Sequence, residues 1–251
     1  TDYLQSIRER RVYPETTAAQ IRQQLERELP QEGVAFERLL ETFSGVLVEN
    51  SRHNGHPRMF GYVQAPGTAI AAIADLMASV LNANLTAWRS APAAVEFERL
   101  TIDWVKRIVG VDPGAAGLFV SGGSMANFAA LAAARRAKAP EAVMRSGLQS
   151  FSKAMRLYAS IETHHSIPKA AALLGIGREN VREVEVDERN RIQIADLQAK
   201  IREDQTAGHL PFCVVANAGT VNTGACDLLG DVADVARRFN LWMHVDASYG
   251  G

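Results

Sequence analysis

The sequence predicts an α/β fold, a mainly parallel sheet with helices on both faces, preceded by a helical N-terminal arm. Three observations carry that expectation. From Gly110 onward, short apolar runs alternate with helix-periodic segments, the rhythm that parallel strands need for their crossovers. The first third shows helical periodicity alone, with no strand to pair with another. The last eight residues, His244-Val245-Asp246-Ala247-Ser248-Tyr249-Gly250-Gly251, follow Phe239 to Met243 and read as a short buried strand ending on a carboxylate and breaking at two glycines.

At 251 residues the chain can bury a large core, as one α/β domain or as a domain with an appendage. Lysine plus arginine number 27 against 28 aspartates plus glutamates, a formal net charge of −1. Attraction to nucleic acid or to an anionic membrane over the whole surface needs a sign asymmetry that this balance lacks. Cys213 and Cys226 lie 13 positions apart without metal-ligand spacing, Cys213 inside an apolar run. Buried, reduced thiols are the expectation, as in a cytoplasmic protein. The N-terminus lacks the basic and apolar regions of a signal peptide, and no apolar run is long enough to span a bilayer.

Taken in order, Leu4 and Ile7 open a short amphipathic piece that stops at Val12-Tyr13-Pro14. Thr16 or Thr17 can cap a helix running through Leu29, with Ile21, Leu25 and Leu29 at four-residue spacing and Pro30 ending it. Phe36, Leu39, Leu40, Phe43 and Leu47 repeat helical spacing. Two such helices bury too little to form a domain, so residues 1–67 read as an arm and residues 68–251 as the larger domain. The turn-rich segment from His53 to Tyr62 either carries ligand contacts or places His53 and His56 at the surface. An alanine-rich helix over Thr68 to Leu85 should turn Ile70, Ile73, Leu76, Met77 and Val80 inward. Ser90 and Pro92 start the helix whose stripe of Val95, Leu100, Trp104, Val105 and Ile108 is expected in the core.

The alternating region then gives strands at Gly117–Val120, Arg156–Ser160, Val181–Val186, Phe212–Ala216 and Leu241–Asp246. Its helices fall at Ser124–Lys138, Ile167–Leu174, Ile194–Glu203 and Asp227–Phe239. Ligands in open α/β sheets sit at the carboxyl ends of strands, and four of these ends carry chemistry. Ser121-Gly122-Gly123-Ser124 leads into a helix N-terminus, where unpaired N–H groups and two glycines suit a phosphate, with a plain turn as the alternative. It is neither a dinucleotide fingerprint nor a Walker loop. His164-His165 offers ring stacking, acid–base chemistry or an exposed loop. Asn217 to Asp227 contains a Gly-Thr turn. His244 and Asp246 share one face of their strand, with Asp246 either a ligand anchor or the cap of the next turn. A metal set of His164, His165, His244 and Asp246 is the rival reading, but no trio there has standard metal spacing and no metal is expected.

Ser121-Gly122-Gly123-Ser124-Met125-Ala126-Asn127, His164-His165-Ser166-Ile167-Pro168-Lys169-Ala170, Ala218-Gly219-Thr220-Val221-Asn222-Thr223-Gly224-Ala225 and His244-Val245-Asp246-Ala247 resemble, in this order and spacing, the pyridoxal-phosphate-dependent group II amino acid decarboxylases. Arg11-Val12-Tyr13-Pro14, His56 to Tyr62 and Ser90 to Glu98 extend the likeness upstream, so that it covers nearly the whole chain. The resemblance implies an incomplete large domain of a fold-type I pyridoxal-phosphate enzyme, a homodimer, and a carboxy-lyase of amino acid metabolism. It implies pyridoxal 5'-phosphate as cofactor and catalytic roles for His164 and Asp246. Asp246 would face the pyridine nitrogen, Gly123 and Ser124 would hold the phosphate, and His164 would cover the ring opposite Ala247 and Ser248. Tyr62 and His164 would border the substrate, an L-amino acid with aromatic ones favoured by the likeness of Leu4 to Pro14 to the aromatic branch.

Some positions depart from that pattern. Val221 replaces a threonine common in the family, and Val63-Gln64-Ala65 replaces a proline-threonine pair of the animal aromatic enzymes. The family's Schiff-base lysine follows the Asp246 motif by some tens of residues, and Lys138, Lys153, Lys169 and Lys200 match no such motif. The expectation is therefore an N-terminal portion of a longer enzyme, inactive alone. A glutamate, diaminobutyrate or sulfinoalanine substrate stays open within the same fold, as does an aldehyde-forming oxidative reaction. A catalytically inactive dimerising scaffold is the reading of another class.

Overall fold

The computed structural model describes residues 2–25 and 28–250. The chain divides into two compact units, Thr1–Thr86 and Ala87–Gly251.

In the first unit, helix α1 (Asp2–Ser6) runs into a 3-10 turn at Ile7–Glu9. Helix α2 (Ala18–Gln24) starts at Thr17, whose hydroxyl accepts from the Gln20 N–H while the Gln20 side chain accepts from the Thr17 N–H. This capping box satisfies two N–H groups that the first helical turn would otherwise leave bare. The helix is shorter than the spacing predicts: Leu25 is already extended (φ −93°, ψ 133°), and the predicted span over Glu26 and Arg27 lies outside the described residues. No residue of its stripe is fully buried, and with so little buried surface a short helix has little to hold it. Helix α3 (Phe36–Thr42) continues into a π-helical turn at Phe43–Val48.

His53 and His56 are both buried, which overturns the surface reading. The Tyr3 hydroxyl and His53 Nδ1 lie 3.1 Å apart, and His56 Nδ1 accepts from the Arg58 N–H at 3.0 Å, so both rings hold the turn together. Helix α4 (Ala69–Leu81) is capped by the Thr68 hydroxyl and stopped by a left-handed Asn82. The face expected inward is exposed, Ile70 by 73% and Val80 by 76%. Periodicity shows that a face is apolar; it does not show that this stretch of chain covers it.

The second unit opens with α5 (Pro92–Val109), with Pro92 in the first turn and a left-handed Gly110 at its end. The residue at the N-cap is Ala91, which gives no side-chain cap, rather than Ser90. Val95 is buried, but Leu100, Trp104, Val105 and Ile108 are exposed, so this stripe is not core here. Gly117–Val120, predicted as a strand, forms none. An apolar run becomes a strand only when a neighbour takes its backbone hydrogen bonds. No strand does so among the described residues, and Leu118 and Phe119 stay exposed. Helix α6 (Gly123–Lys138) and the short α7 (Glu141–Ser146) follow.

The sheet comes next, with its intervening helices: β1 (Met155–Ser160), α8 (Ser166–Leu173), β2 (Val181–Val184), α9 (Ile194–Thr206), β3 (Leu210–Asn217), α10 (Leu229–Arg238) and β4 (Trp242–Asp246). The four strands lie in the order β2-β1-β3-β4, and every pairing is parallel. Strands β1 and β3 change register between Arg156 and Leu157, which leaves Phe212 as an extra residue on β3.

Alternation along the strands splits the core in two. Leu157, Ala159, Cys213 and Val215 pack with Leu131 of α6 and Ile167, Ala170 and Ala171 of α8 on one face. Tyr158, Val214 and Ala216 pack with Leu197 and Ile201 of α9 and Val232 and Val235 of α10 on the other. Helices therefore cover both faces, as expected. After β1 the chain runs outward to β2 through α8; after β2 it returns across the sheet to β3 through α9. The order thus reverses between β1 and β3, the place where such sheets open a crevice.

Two measurements test this packing in the full-length protein. Leu157 is fully buried on a central strand; Leu157→Ala should cost about 2–5 kcal/mol, read as a lower unfolding midpoint, and an unchanged midpoint would contradict the packing. Cys213 is buried and its thiol is pushed well above the usual range by desolvation, whereas Cys226, expected to be buried, is exposed. An alkylating reagent should label Cys226 in the native protein and reach Cys213 only after unfolding, because the thiolate is the reactive species.

Candidate active site

Asp246 is the last residue of β4, and parallel pairing sets it beside Asn217 at the end of β3. Its two carboxylate oxygens are held separately. Oδ1 accepts from the Ser248 N–H at 3.1 Å, so Asp246 does cap the turn that follows it. Oδ2 accepts from Asn127 Nδ2 of α6 at 2.8 Å, a bond that no turn requires. Burial pushes the Asp246 carboxyl upward, but the hydrogen bonds from Asn127 and Ser248, with His244 nearby, outweigh it and leave the group below the ordinary carboxylate range. The carboxylate is therefore ionised at neutral pH.

His244 lies on the same face, as the two-residue period predicts, and its Nε2 is 2.7 Å from Asn127 Oδ1. Burial lowers the His244 pKa against the opposing pull of Asp246, which leaves the ring neutral near pH 7. Asn127 also donates through Nδ2 to Ser166 Oγ at 2.8 Å, and Ser166 Oγ lies 2.8 Å from His164 Nδ1. The Ser166 N–H approaches the same nitrogen at 3.2 Å. One polar chain thus joins α6, α8, the end of β4 and the loop after β1. Asn127 and Ser166 are buried, yet neither stands out in the sequence as a site residue. The available signal is the placement of Asn127 one turn beyond Ser124, on the first turns of a helix that follows two glycines.

The glycine loop is built for close approach. Gly122 has a φ of +91°, and Gly123 begins α6. A Cβ on Gly123 would sit 2.7 Å from Ser248 Oγ, so Ser248 lies against the start of this helix. The first-turn N–H groups of Gly123 and Ser124 have no intrahelical acceptor. The loop after β3 presses on the loop after β4: a Cβ on Gly250 would lie 2.3 Å from the Ala218 carbonyl oxygen. Only glycine fits there. Gly251, the last residue of the predicted motif, is outside the described residues.

The sheet's reversal point is held by a second set of bonds. Asn217 Nδ2 donates to Thr163 Oγ1 at 3.0 Å and to Ser160 Oγ at 3.3 Å. Buried Asp227 accepts from the N–H groups of Asn217 and Ile192. Above it opens a cavity of about 550 Å³ lined by residues that include Ser160, Thr163, His164, His165, Val221 and Asn222. Ser124 lines a different hollow of about 290 Å³, with Met125, Phe128, Ser166 and Lys169 among its walls. The structure thus brings Gly123, Ser248, Asp246 and His164 onto one sheet edge, with His164 and Ser124 facing separate hollows. Tyr62 belongs to the N-terminal unit, where it is exposed with a left-handed φ of 66° and lies under the Arg52 guanidinium at 4.3 Å. Among the described residues, no three His, Cys, Asp or Glu side chains meet in a metal-binding arrangement, and no helix is long and apolar enough to cross a membrane.

Comparison with known proteins gives this edge a context. Residues 18–251 match the pyridoxal-dependent decarboxylase conserved domain. The chain is 35% identical over 249 residues to an aromatic-L-amino-acid decarboxylase of Bacillus atrophaeus, covering 99% of this chain and 50% of that protein. It is 36% identical over 232 residues to a cysteine sulfinic acid decarboxylase of Rattus norvegicus, covering 92% of this chain and 46% of the relative. A crystal structure of mouse CSAD in apo form superposes with a TM-score of 0.88 at 33% identity, over 95% of this chain and 50% of that one. The chain therefore spans about half the length of the relatives it matches. Its parallel sheet, its glycine-led helix and its strand-end residues belong to a chain of the pyridoxal-dependent decarboxylase family.

Proposed function

We propose that the protein containing this chain removes the α-carboxyl group of an L-amino acid, using pyridoxal 5'-phosphate, and that aromatic amino acids are its substrates. The observation that carries the reading is the ionised Asp246 held on the same sheet edge as Gly123, Ser248 and His164. These residues fit the cofactor. Gly122 and Gly123 leave the start of α6 bare of side chains, where N–H groups and the helix dipole would receive a phosphate with Ser124. The Asp246 carboxylate would meet the pyridine nitrogen, and an opposite charge at contact keeps that nitrogen protonated. When bound, the cofactor supplies an electron sink for the charge left at Cα as carbon dioxide departs.

The chain's own residues would do the positioning. His164, with its Nδ1 occupied by Ser166, has its other ring nitrogen available to a ligand in the cavity at the end of β1. In this role it would cover the cofactor ring and orient the substrate carboxylate. Ser248, against Gly123, would close the opposite side. In the same reading residues 1–67 form an arm of a homodimer, Tyr62 borders the substrate, residues 68–251 form the cofactor domain, and the protein works in the cytoplasm. Aromatic specificity draws support from the similarity to the Bacillus atrophaeus enzyme along 99% of this chain. Cysteine sulfinic acid is the second reading, supported by comparable identity to the Rattus norvegicus enzyme.

The test is carbon dioxide release by the full-length protein with pyridoxal phosphate, across aromatic amino acids, cysteine sulfinic acid, glutamate and diaminobutyrate. Release from the aromatic substrates, abolished in Asp246→Ala, is expected. Preference for cysteine sulfinic acid would select the second reading, and no release from any of them would refute the proposal.

A further inference from the structure

The geometry points to Asn127 as a positioning residue: one amide, fixed in a single orientation, dictates which nitrogen of His244 carries the proton and, through Ser166, ties His164 to the same network as Asp246. The inference rests on the functional reading above for its relevance to the cofactor, but its hydrogen-bond logic stands on the structure alone.

The orientation follows from both ends of the chain of bonds. Asp246 is ionised and can only accept, so the atom of Asn127 that faces Oδ2 at 2.8 Å must be the NH2 nitrogen. The carbonyl Oδ1 then faces His244 at 2.7 Å, and since it too can only accept, His244 must carry its hydrogen on Nε2. The second hydrogen of the same NH2 goes to Ser166 Oγ, which keeps its own hydrogen to give onward to His164 Nδ1. The direction of that last bond is fixed from the far end: the Ser166 backbone N–H also points at His164 Nδ1, so this nitrogen must be bare. His164 then carries its hydrogen on Nε2, the nitrogen left for a ligand.

Asn127, Ser166 and Asp246 are buried and His244 is half-buried, with His164 exposed at the outer end; Asn127 itself is 2% exposed, so water offers no ready substitute for the amide. A leucine at this position would keep roughly the same volume while removing both hydrogen-bonding ends. Asp246 would then lose a charge-assisted bond, His244 its acceptor, and Ser166 the hydrogen bond donated to its hydroxyl oxygen.

The experiment uses the full-length protein with nitrogen-15 histidine, first stripped of cofactor and then reloaded. In the stripped parent protein, the imidazole signals of His164 and His244 should both report a neutral ring protonated on Nε2. In Asn127→Leu, His244 should lose that single signature, and the dissociation constant for pyridoxal phosphate should rise about tenfold or more, the size of one hydrogen bond to a charged group. In Ser166→Ala, His244 should keep its signature, because its bond to Asn127 does not pass through Ser166. A hydrogen on Nδ1 of His244 in the parent protein would overturn the inference without any variant. So would a folded Asn127→Leu protein with unchanged His244 signal and cofactor affinity. A parent protein that binds no pyridoxal phosphate would sink the functional reading instead, and the histidine signals would still decide the orientation of Asn127.

Discussion

The candidate site depends on one side-chain amide. Asn127 stands on α6, yet its three hydrogen bonds reach His244 and Asp246 on β4 and Ser166 at the start of α8. Without them the buried carboxylate of Asp246 would have only the Ser248 turn to stabilise it, and burial would raise its pKa. With them, hydrogen bonding outweighs desolvation and the charge persists in a sheltered position. That is the physical difference between an aspartate that caps a turn and one that can hold a cation.

The sheet supplies the frame for this amide. Parallel pairing of β3 with β4 puts Asn217 opposite Asp246, and the reversal of strand order between β1 and β3 gathers the loops that follow those strands. Tight loop packing then fixes the edge, with Gly250 against the Ala218 carbonyl and Gly123 against Ser248. Two apolar cores, one on each face, hold the strands that carry these ends. Proteins of this family use pyridoxal phosphate, and in the proposed function the edge would receive it with a glycine-led helix start, the Asp246 carboxylate and His164.

Much of this was legible in the sequence, for definite reasons. Strands β1 to β4 and helices α6 and α8 to α10 follow from apolar runs and helical spacing bounded by turn residues, because the helices bury one stripe on the sheet and the central strands are buried on both faces. The shared face of His244 and Asp246 follows from the strand period alone. What failed depended on contacts that local spacing does not report. Among the described residues, Gly117–Val120 has strand composition but no strand beside it, and the stripes of α4 and α5 are apolar but largely exposed. Asn127 and Ser166 were illegible as site residues because a buried asparagine or serine is ordinary; their meaning comes from bonds to Asp246 and His164 that bridge 119 and two positions of sequence.

In the proposed function, Asp246 would serve as the counter-ion of a protonated pyridine ring. The most direct test is the protonation state of the ring nitrogen, read by nitrogen-15 resonance from labelled pyridoxal phosphate bound to the full-length protein. The ring nitrogen should stay protonated at neutral pH in the parent protein and lose its proton in Asp246→Ala. An unprotonated ring nitrogen in the parent protein, or one indifferent to the loss of Asp246, would contradict this role.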